Sequence, residues 1–270
     1  MDLLIRMEPI EILTYLLIFF LGASMGSFYN VIIDRMPNDM SVVHGRSECT
    51  ECHTQLKWYD LIPIFSFIFL KGKCRYCHKK LSIQYLLSEL SMGFIFLFAF
   101  LIWGRSLEYS KMFIVLTLWS MLFVVGIMDY KYKIIIDQVL VGFTLCGIVL
   151  MLVSGYSLKN IVLGCLSAFL LYGFIYLATK YVLKKEGFGF GDVLFLSAIG
   201  CYFDAPRIIL IGILSFYVCL VFILLFFIKN RKLHKEIEIP FAPSICLTAF
   251  IFSLYGDQIV YFFMKLLGFY

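Results

Sequence analysis

Residues 180–200 read KYVLKKEGFGFGDVLFLSAIG, with Gly187, Gly189 and Gly191 at alternate positions leading into Asp192 and then into an apolar run. A carboxylate placed where a membrane helix begins is expensive unless it has a chemical role. This stretch therefore predicts a membrane protein with an acid kept at membrane level for a purpose. It also directs attention outward, to a possible second carboxylate.

Composition agrees with the first half of that reading. The chain has 270 residues, of which 62% are hydrophobic and 15% charged. A soluble domain averages about 45–50% apolar and about 25% charged, so the class is a polytopic membrane protein. The net charge of +5 reads as topology rather than as an acidic or nucleic-acid partner, because loop Lys and Arg set orientation.

Apolar segments fall at 10–33, 82–103, 112–128, 134–154, 159–179, 193–203, 207–228 and 240–268. The expected fold is all-α, with about eight transmembrane helices. The first segment lacks a basic leader and is too long for a signal peptide. Its GASMGSFYN run (22–30) puts small residues on one face for close helix packing. Residues 34–81 form a polar loop with eight Lys or Arg, five Asp or Glu and four cysteines. The apolar patch 61–70 within it is too short to span and is expected at the interface or on the bundle. Three parts follow: a first helix (1–33), a Cys-rich loop domain (34–81) and a membrane core (82–270). If all eight segments cross, 17 of the 23 basic residues lie on one side, which should be cytoplasmic. If 193–203 does not cross, the split becomes 15 to 8, so crossing is favoured.

Few ionisable residues stand at membrane level. Asp129 ends the third apolar run, on the same face as Asp192, and Asp137 opens the next. Two neighbouring carboxylates cannot both ionise; one keeps a proton while the other activates water for attack on a peptide carbonyl. Gly187, Gly189 and Gly191 would leave room for substrate backbone, having no Cβ and tolerating positive φ. On spacing alone other readings stay open. Asp192 suits a helix N-cap, Asp129 suits an exposed loop charge beside Lys131 and Lys133, Asp137 is a rival for the partner role or a helper that positions substrate, and Glu89 is another intramembrane acid.

The chain closely resembles the type IV prepilin peptidases, the bifunctional leader peptidases of the GxGD aspartic family. The motifs run almost end to end: GSFYNVIIDRMP (26–37), the first cysteine pair followed by LKWYDLIPIFSFIFLKGKCRYC (56–77), IQYLLSEL (83–90), Asp129, GFGFGD (187–192) and EIPFAPS (238–244). The resemblance implies that Asp129 and Asp192 are the catalytic pair. It further implies cleavage of prepilins or pseudopilins after a Gly, at the cytoplasmic face of the cell membrane. Methylation of the new N-terminal amine with S-adenosylmethionine is implied by the resemblance alone, since residues 34–81 carry no Rossmann-type glycine motif. Two positions depart from the family pattern: Ile136 replaces a common proline before Asp137, and Leu194 replaces a common lysine after the GD pair. Rival readings are a peptidase of this fold without methylation and a proton- or metal-linked transporter.

Cys49-x-x-Cys52 and Cys74-x-x-Cys77 are 21 residues apart, close to the spacing of a four-cysteine zinc site. Four thiolates complete a tetrahedral Zn²⁺ shell and leave no position for water, so the metal would be structural. Each pair is followed by histidine, which is also the attachment pattern of c-type haem. Haem is not expected on a cytoplasmic loop; a redox-sensitive or metal-free set of thiols is the other alternative. The family often has glycine after the second cysteine, and His53 and His78 replace it at positions that can require positive φ, which histidine tolerates. The other five cysteines stand singly in apolar segments and read as small buried hydrophobes.

Overall fold

The computed structural model describes residues 9–182, 189–230, 240–266 and 268. Among these the regular structure is helical: α1 (Pro9–Arg35), α2 (Phe65–Phe69), α3 (Ile83–Ala99), α4 (Tyr109–Tyr132), α5 (Asp137–Val153), α6 (Leu158–Val182), α7 (Phe190–Gly200), α8 (Ala205–Asn230) and α9 (Ala242–Leu266). The chain divides into two compact units, residues 1–112 and 113–270.

The protein is a multi-pass membrane protein. Six helices are long and apolar enough to cross, and the segments expected at 134–154 and 193–203 appear as shorter helices of 17 and 11 residues. At 1.5 Å per residue these reach about 25 and 16 Å, against a hydrocarbon core of about 30 Å.

In the first unit α1 lies along α3 through the predicted small face: Gly22, Ala23 and Gly26 are all buried. A Cβ on Gly26 would fall 2.7 Å from the Ser88 carbonyl, and one on Gly22 would fall 2.5 Å from that of Met92. Neither contact survives a side chain. Ser82 caps α3, its hydroxyl accepting from the Gln84 N–H at 3.2 Å, and the helix runs on into a π-helical turn at Phe100–Gly104. The apolar patch 61–70 packs on the bundle as expected: it forms α2, and Phe65 stacks on Phe20 of α1 with ring centroids 5.4 Å apart.

Asp60 ties the polar loop together. It accepts from Arg75 Nε at 2.6 Å, the Tyr76 hydroxyl at 3.1 Å and the Lys57 N–H at 3.2 Å. Burial alone would push this carboxyl up; the three donors outweigh it and hold it below the usual carboxylate range.

In the second unit the shortest helix is the most enclosed, with Val193 and every residue from Phe195 to Gly200 buried. The α6–α7 contact is backbone against backbone, since a Cβ on Gly164 would overlap the carbonyls of Gly200 and Phe203. Two tyrosines, Tyr172 buried and Tyr202 half-buried, reach carbonyls of neighbouring helices, Tyr172 to Ile209 at 2.7 Å and Tyr202 to Phe143 at 2.8 Å. Each fills a space that a side chain at Gly212 or Gly147 would close. Of the single cysteines, Cys201 is buried and Cys165, Cys219 and Cys246 partly so, whereas Cys146 is exposed. On an apolar helix an exposed Cys146 faces hydrocarbon at no cost, so burial was not required of it.

Candidate active site

Asp129 stands in the last turn of α4 and is 7% exposed. Its Oδ2 accepts the N–H of Ala242, the first residue of α9, at 2.9 Å. The first N–H groups of a helix have no intrahelical partner, and the dipole there favours a negative charge. Pro243 costs this first turn nothing, because its missing N–H would have been unpaired anyway. Lys133, at φ 55, ends α4 by donating its N–H to the Asp129 carbonyl at 2.9 Å. Asp129 is thus a buried acid tied to a helix 113 positions away, not an exposed loop charge.

Asp192 is not an N-cap. Gly189 holds that position, with φ −76 and ψ 142, and Asp192 is the third residue of α7. Its carboxylate receives the Gly189 N–H, and its own N–H donates to the Gly189 carbonyl at 3.1 Å. The acid therefore supplies one half of a capping box. The glycines act through space rather than through φ. Gly189 has negative φ, but a Cβ there would lie 3.1 Å from Asp192 Oδ2. A Cβ on Gly191 would lie 3.3 Å from Ile135 Cβ, in the α4–α5 connection. Gly187 lies outside the described residues.

The two carboxylates share one neighbourhood. Asp192 feels the charge of Asp129, and both act on Cys246, whose thiol donates to the Leu122 carbonyl at 3.1 Å. Two such acids at adjoining helix ends can hold a single proton between them. Asp137 is exposed at the first residue of α5, where its charge suits the helix dipole. Glu89 belongs to the first unit, is buried, and accepts the Ile64 N–H at 2.7 Å. The Ala242 N–H was not visible in the sequence as part of this site. The only signal was the prolines at 240 and 243, which mark a helix start.

Cys49, Cys52, Cys74 and Cys77 come together with all four sulfurs within 4.8 Å of one another. Cys49 Sγ and Cys77 Sγ are 3.9 Å apart, too far for a disulfide at about 2.05 Å. The separation fits a tetrahedron with Zn–S near 2.3 Å, whose edges are about 3.8 Å. Each pair sits in the same knuckle. His53 and His78 adopt φ 53 and 58 and donate to the Cys49 and Cys74 carbonyls at 2.9 and 3.0 Å. The Cys49 and Cys74 N–H groups in turn donate to the Thr54 and Lys79 carbonyls at 3.1 and 2.9 Å. The Thr54 hydroxyl lies 3.3 Å from Cys52 Sγ and, with the Thr54 backbone, brings that thiol down to about 6, favouring the thiolate a metal needs. The four residues fit a structural metal.

Residues 20–103 match the bacterial peptidase A24 N-terminal domain, and residues 114–225 match the type IV leader peptidase family. A prepilin leader peptidase/N-methyltransferase of Bacillus subtilis is 30% identical over 93% of this chain and 98% of its own. One from Vibrio cholerae is 26% identical over 87% and 94%. One from Pectobacterium carotovorum is 30% identical over 72% and 78%. No solved structure matches the chain.

Proposed function

The chain belongs to the type IV leader peptidase family, and from that premise we propose that it is an aspartic endopeptidase and amine methyltransferase acting on prepilins or pseudopilins. Asp129 and Asp192 cut the leader after its terminal Gly at the cytoplasmic membrane face. The observation that carries this is the pairing of two carboxylates, each at a helix end and each receiving a backbone N–H, in electrostatic contact with one another.

The chemistry follows from one shared proton. The charged carboxylate takes a proton from a water whose oxygen attacks the scissile carbonyl carbon. The protonated carboxyl donates to the amide nitrogen as the C–N bond breaks, which resets the pair with the proton exchanged. The Ala242 and Gly189 N–H groups hold the two acids in place throughout. Gly189 and Gly191 keep side chains away from Asp192, so an extended substrate backbone can lie beside it. Loop basic residues support the cytoplasmic placement, since 17 of 23 share one side when all eight segments cross.

S-adenosylmethionine, the donor implied by the relatives' names, would supply an electrophilic methyl group to the new N-terminal amine. A structural Zn²⁺ on Cys49, Cys52, Cys74 and Cys77 would hold the two knuckles of the loop together. The test is to incubate the purified protein with a prepilin and methyl-labelled donor. The expected product lacks the leader and carries label. A shortened, unlabelled product contradicts the methyltransferase half, and an intact prepilin contradicts the peptidase.

A further inference from the structure

Residues 61–70 pack deep against the bundle, and the rise of the helices beside them gives the depth. Phe65 stacks on Phe20 of α1, and the neighbouring Phe19 meets Phe94 of α3 with ring centroids 5.2 Å apart. At 1.5 Å per residue, Phe20 stands about 15 Å from Ile10 and about 20 Å from Ile33, the ends of the apolar run of α1. Phe94 stands about 16 Å from Ile83 and about 15 Å from Gly104, the ends of the α3 span. In a hydrocarbon core of about 30 Å both rings lie near the middle, and the Phe65 ring lies there with them.

A segment at that depth must satisfy its own backbone, since hydrocarbon offers no partner. The N–H groups of Phe65, Ser66, Ile68 and Leu70 to Lys73 all donate to carbonyls between Ile62 and Leu70. The Ile64 N–H is turned out of the run by φ 66 and is received by Glu89 at 2.7 Å. For a β-branched residue that conformation is costly, and Glu89 completes the turn it makes. The acid stands about 9 Å along α3 from Ile83, below the level at which the loop begins.

The two sides of α2 differ. Ser66, Phe67 and Leu70 line a cavity of about 680 Å³ within the first unit. Phe65, Ile68 and Phe69, spaced i, i+3 and i+4, face outward and are 42, 57 and 79% exposed. They continue the exposed leucines around Phe20 on α1, Leu16, Leu17 and Leu21, a surface that lipid covers in a membrane span. Lysines flank the run at 57, 71 and 73, with stems long enough to carry their charges back toward the headgroups. Trp58, exposed just before the run, is the residue type that anchors at the interface.

We propose that residues 61–70 are a re-entrant membrane element. The chain enters the hydrocarbon core from the loop side, turns at Ile64 on Glu89 and leaves on the same side, with Phe65, Ile68 and Phe69 against the acyl chains of the bilayer. The Cys-rich loop is thereby fastened to the membrane between its two cysteine pairs as well as at its ends.

Tryptophan fluorescence of the full chain, in vesicles of phosphatidylcholine brominated deep on the acyl chain, tests this. Phe69→Trp and Val43→Trp each add one fluorophore to the wild-type emission, the second in the polar part of the loop at a residue 86% exposed. Brominated lipid should remove more than about half of the emission added at 69 and little of that added at 43, because contact quenching needs the acyl chain beside the ring. Iodide in the water should do the reverse. Zinc content matched to wild type identifies folded variants, and Ile68→Trp takes the place of a Phe69→Trp that does not fold. Equal quenching of the two positions by brominated lipid, or stronger quenching of 69 by iodide, overturns the proposal. A photoreactive p-benzoylphenylalanine in place of Phe69, irradiated in plain vesicles with prepilin present, should gain the mass of one phospholipid. Cross-linking to a second copy or to the prepilin instead gives this face to a protein and overturns the proposal as well.

Discussion

Asp129 and Asp192 differ from ordinary helix-end acids in what surrounds them. Each receives a backbone N–H that stabilises a negative charge, yet the charge of Asp129 acts on Asp192 and opposes a second one there. Cleavage should therefore fall on both sides of an optimum. At low pH both carboxyls are protonated and no base remains; at high pH both are charged and no acid remains. A pH profile of kcat/KM should be bell-shaped with two apparent pKa values belonging to the pair, and a profile flat across the acid range would contradict the shared proton. Gly189 offers a finer test, because a Cβ there would lie 3.1 Å from Asp192 Oδ2. Gly189→Ala should slow cleavage about tenfold by moving one carboxylate, while thermal unfolding shifts little because the residue is exposed. Unchanged kinetics would show that the carboxylate has slack. Some of this was legible: GFGFGD and Asp129 named the acids, and the residue after each second cysteine was expected where positive φ is found, as His53 and His78 show. The Ala242 N–H was not legible, because a contact over 113 positions follows from tertiary packing and leaves no local pattern.

At the scale of helices, α7 is an 11-residue element enclosed by α5, α6, α8 and α9. Its fit depends on the glycine contact between α6 and α7. Gly164→Ala would push a methyl group onto the Gly200 and Phe203 carbonyls, and overpacking of this kind costs about 1–3 kcal/mol. The melting temperature in micelles should drop measurably. Gly142→Ala is the control, since no atom stands within 4 Å of its added Cβ. It should be neutral, or stabilising by up to about 1 kcal/mol, as expected for replacing glycine inside a helix. Equal melting temperatures for the two variants would contradict the backbone contact. Hydropathy found all eight apolar segments, because each is a continuous apolar run. It gave a short segment for α7 as well, whose helix of 11 residues begins earlier, after Gly189, but it could not anticipate that α5 stops at 17 residues, since that helix begins only at Asp137.

The whole molecule keeps its cysteine cluster and its two helix-end carboxylates on separate stretches of chain. The cysteine cluster and the cavity are built from residues 1–112, and the carboxylate pair from residues 113–270. Cys49→Ser should lower zinc from about one ion per chain to none, because three thiolates do not close a structural tetrahedral site. Asp129→Asn should leave zinc content untouched. Metal analysis of the two purified variants checks both, and zinc retained in Cys49→Ser would contradict the four-thiolate site. The cysteine spacing made the cluster readable, while the bond from the Ile64 N–H to Glu89 was not, for Ile64 sits at φ 66. No rule of sequence places a β-branched residue there.

The central claim is that Asp129 and Asp192 together cut the prepilin, and mass spectrometry of a prepilin incubated with wild-type protein, Asp129→Asn or Asp192→Asn tests it most directly. Either substitution removes a carboxylate that must carry the shared proton or the charge, so cleavage should fall by about a thousandfold or more in variants that keep wild-type zinc content and thermal unfolding. Leader removal at the wild-type rate by either folded variant would contradict the account.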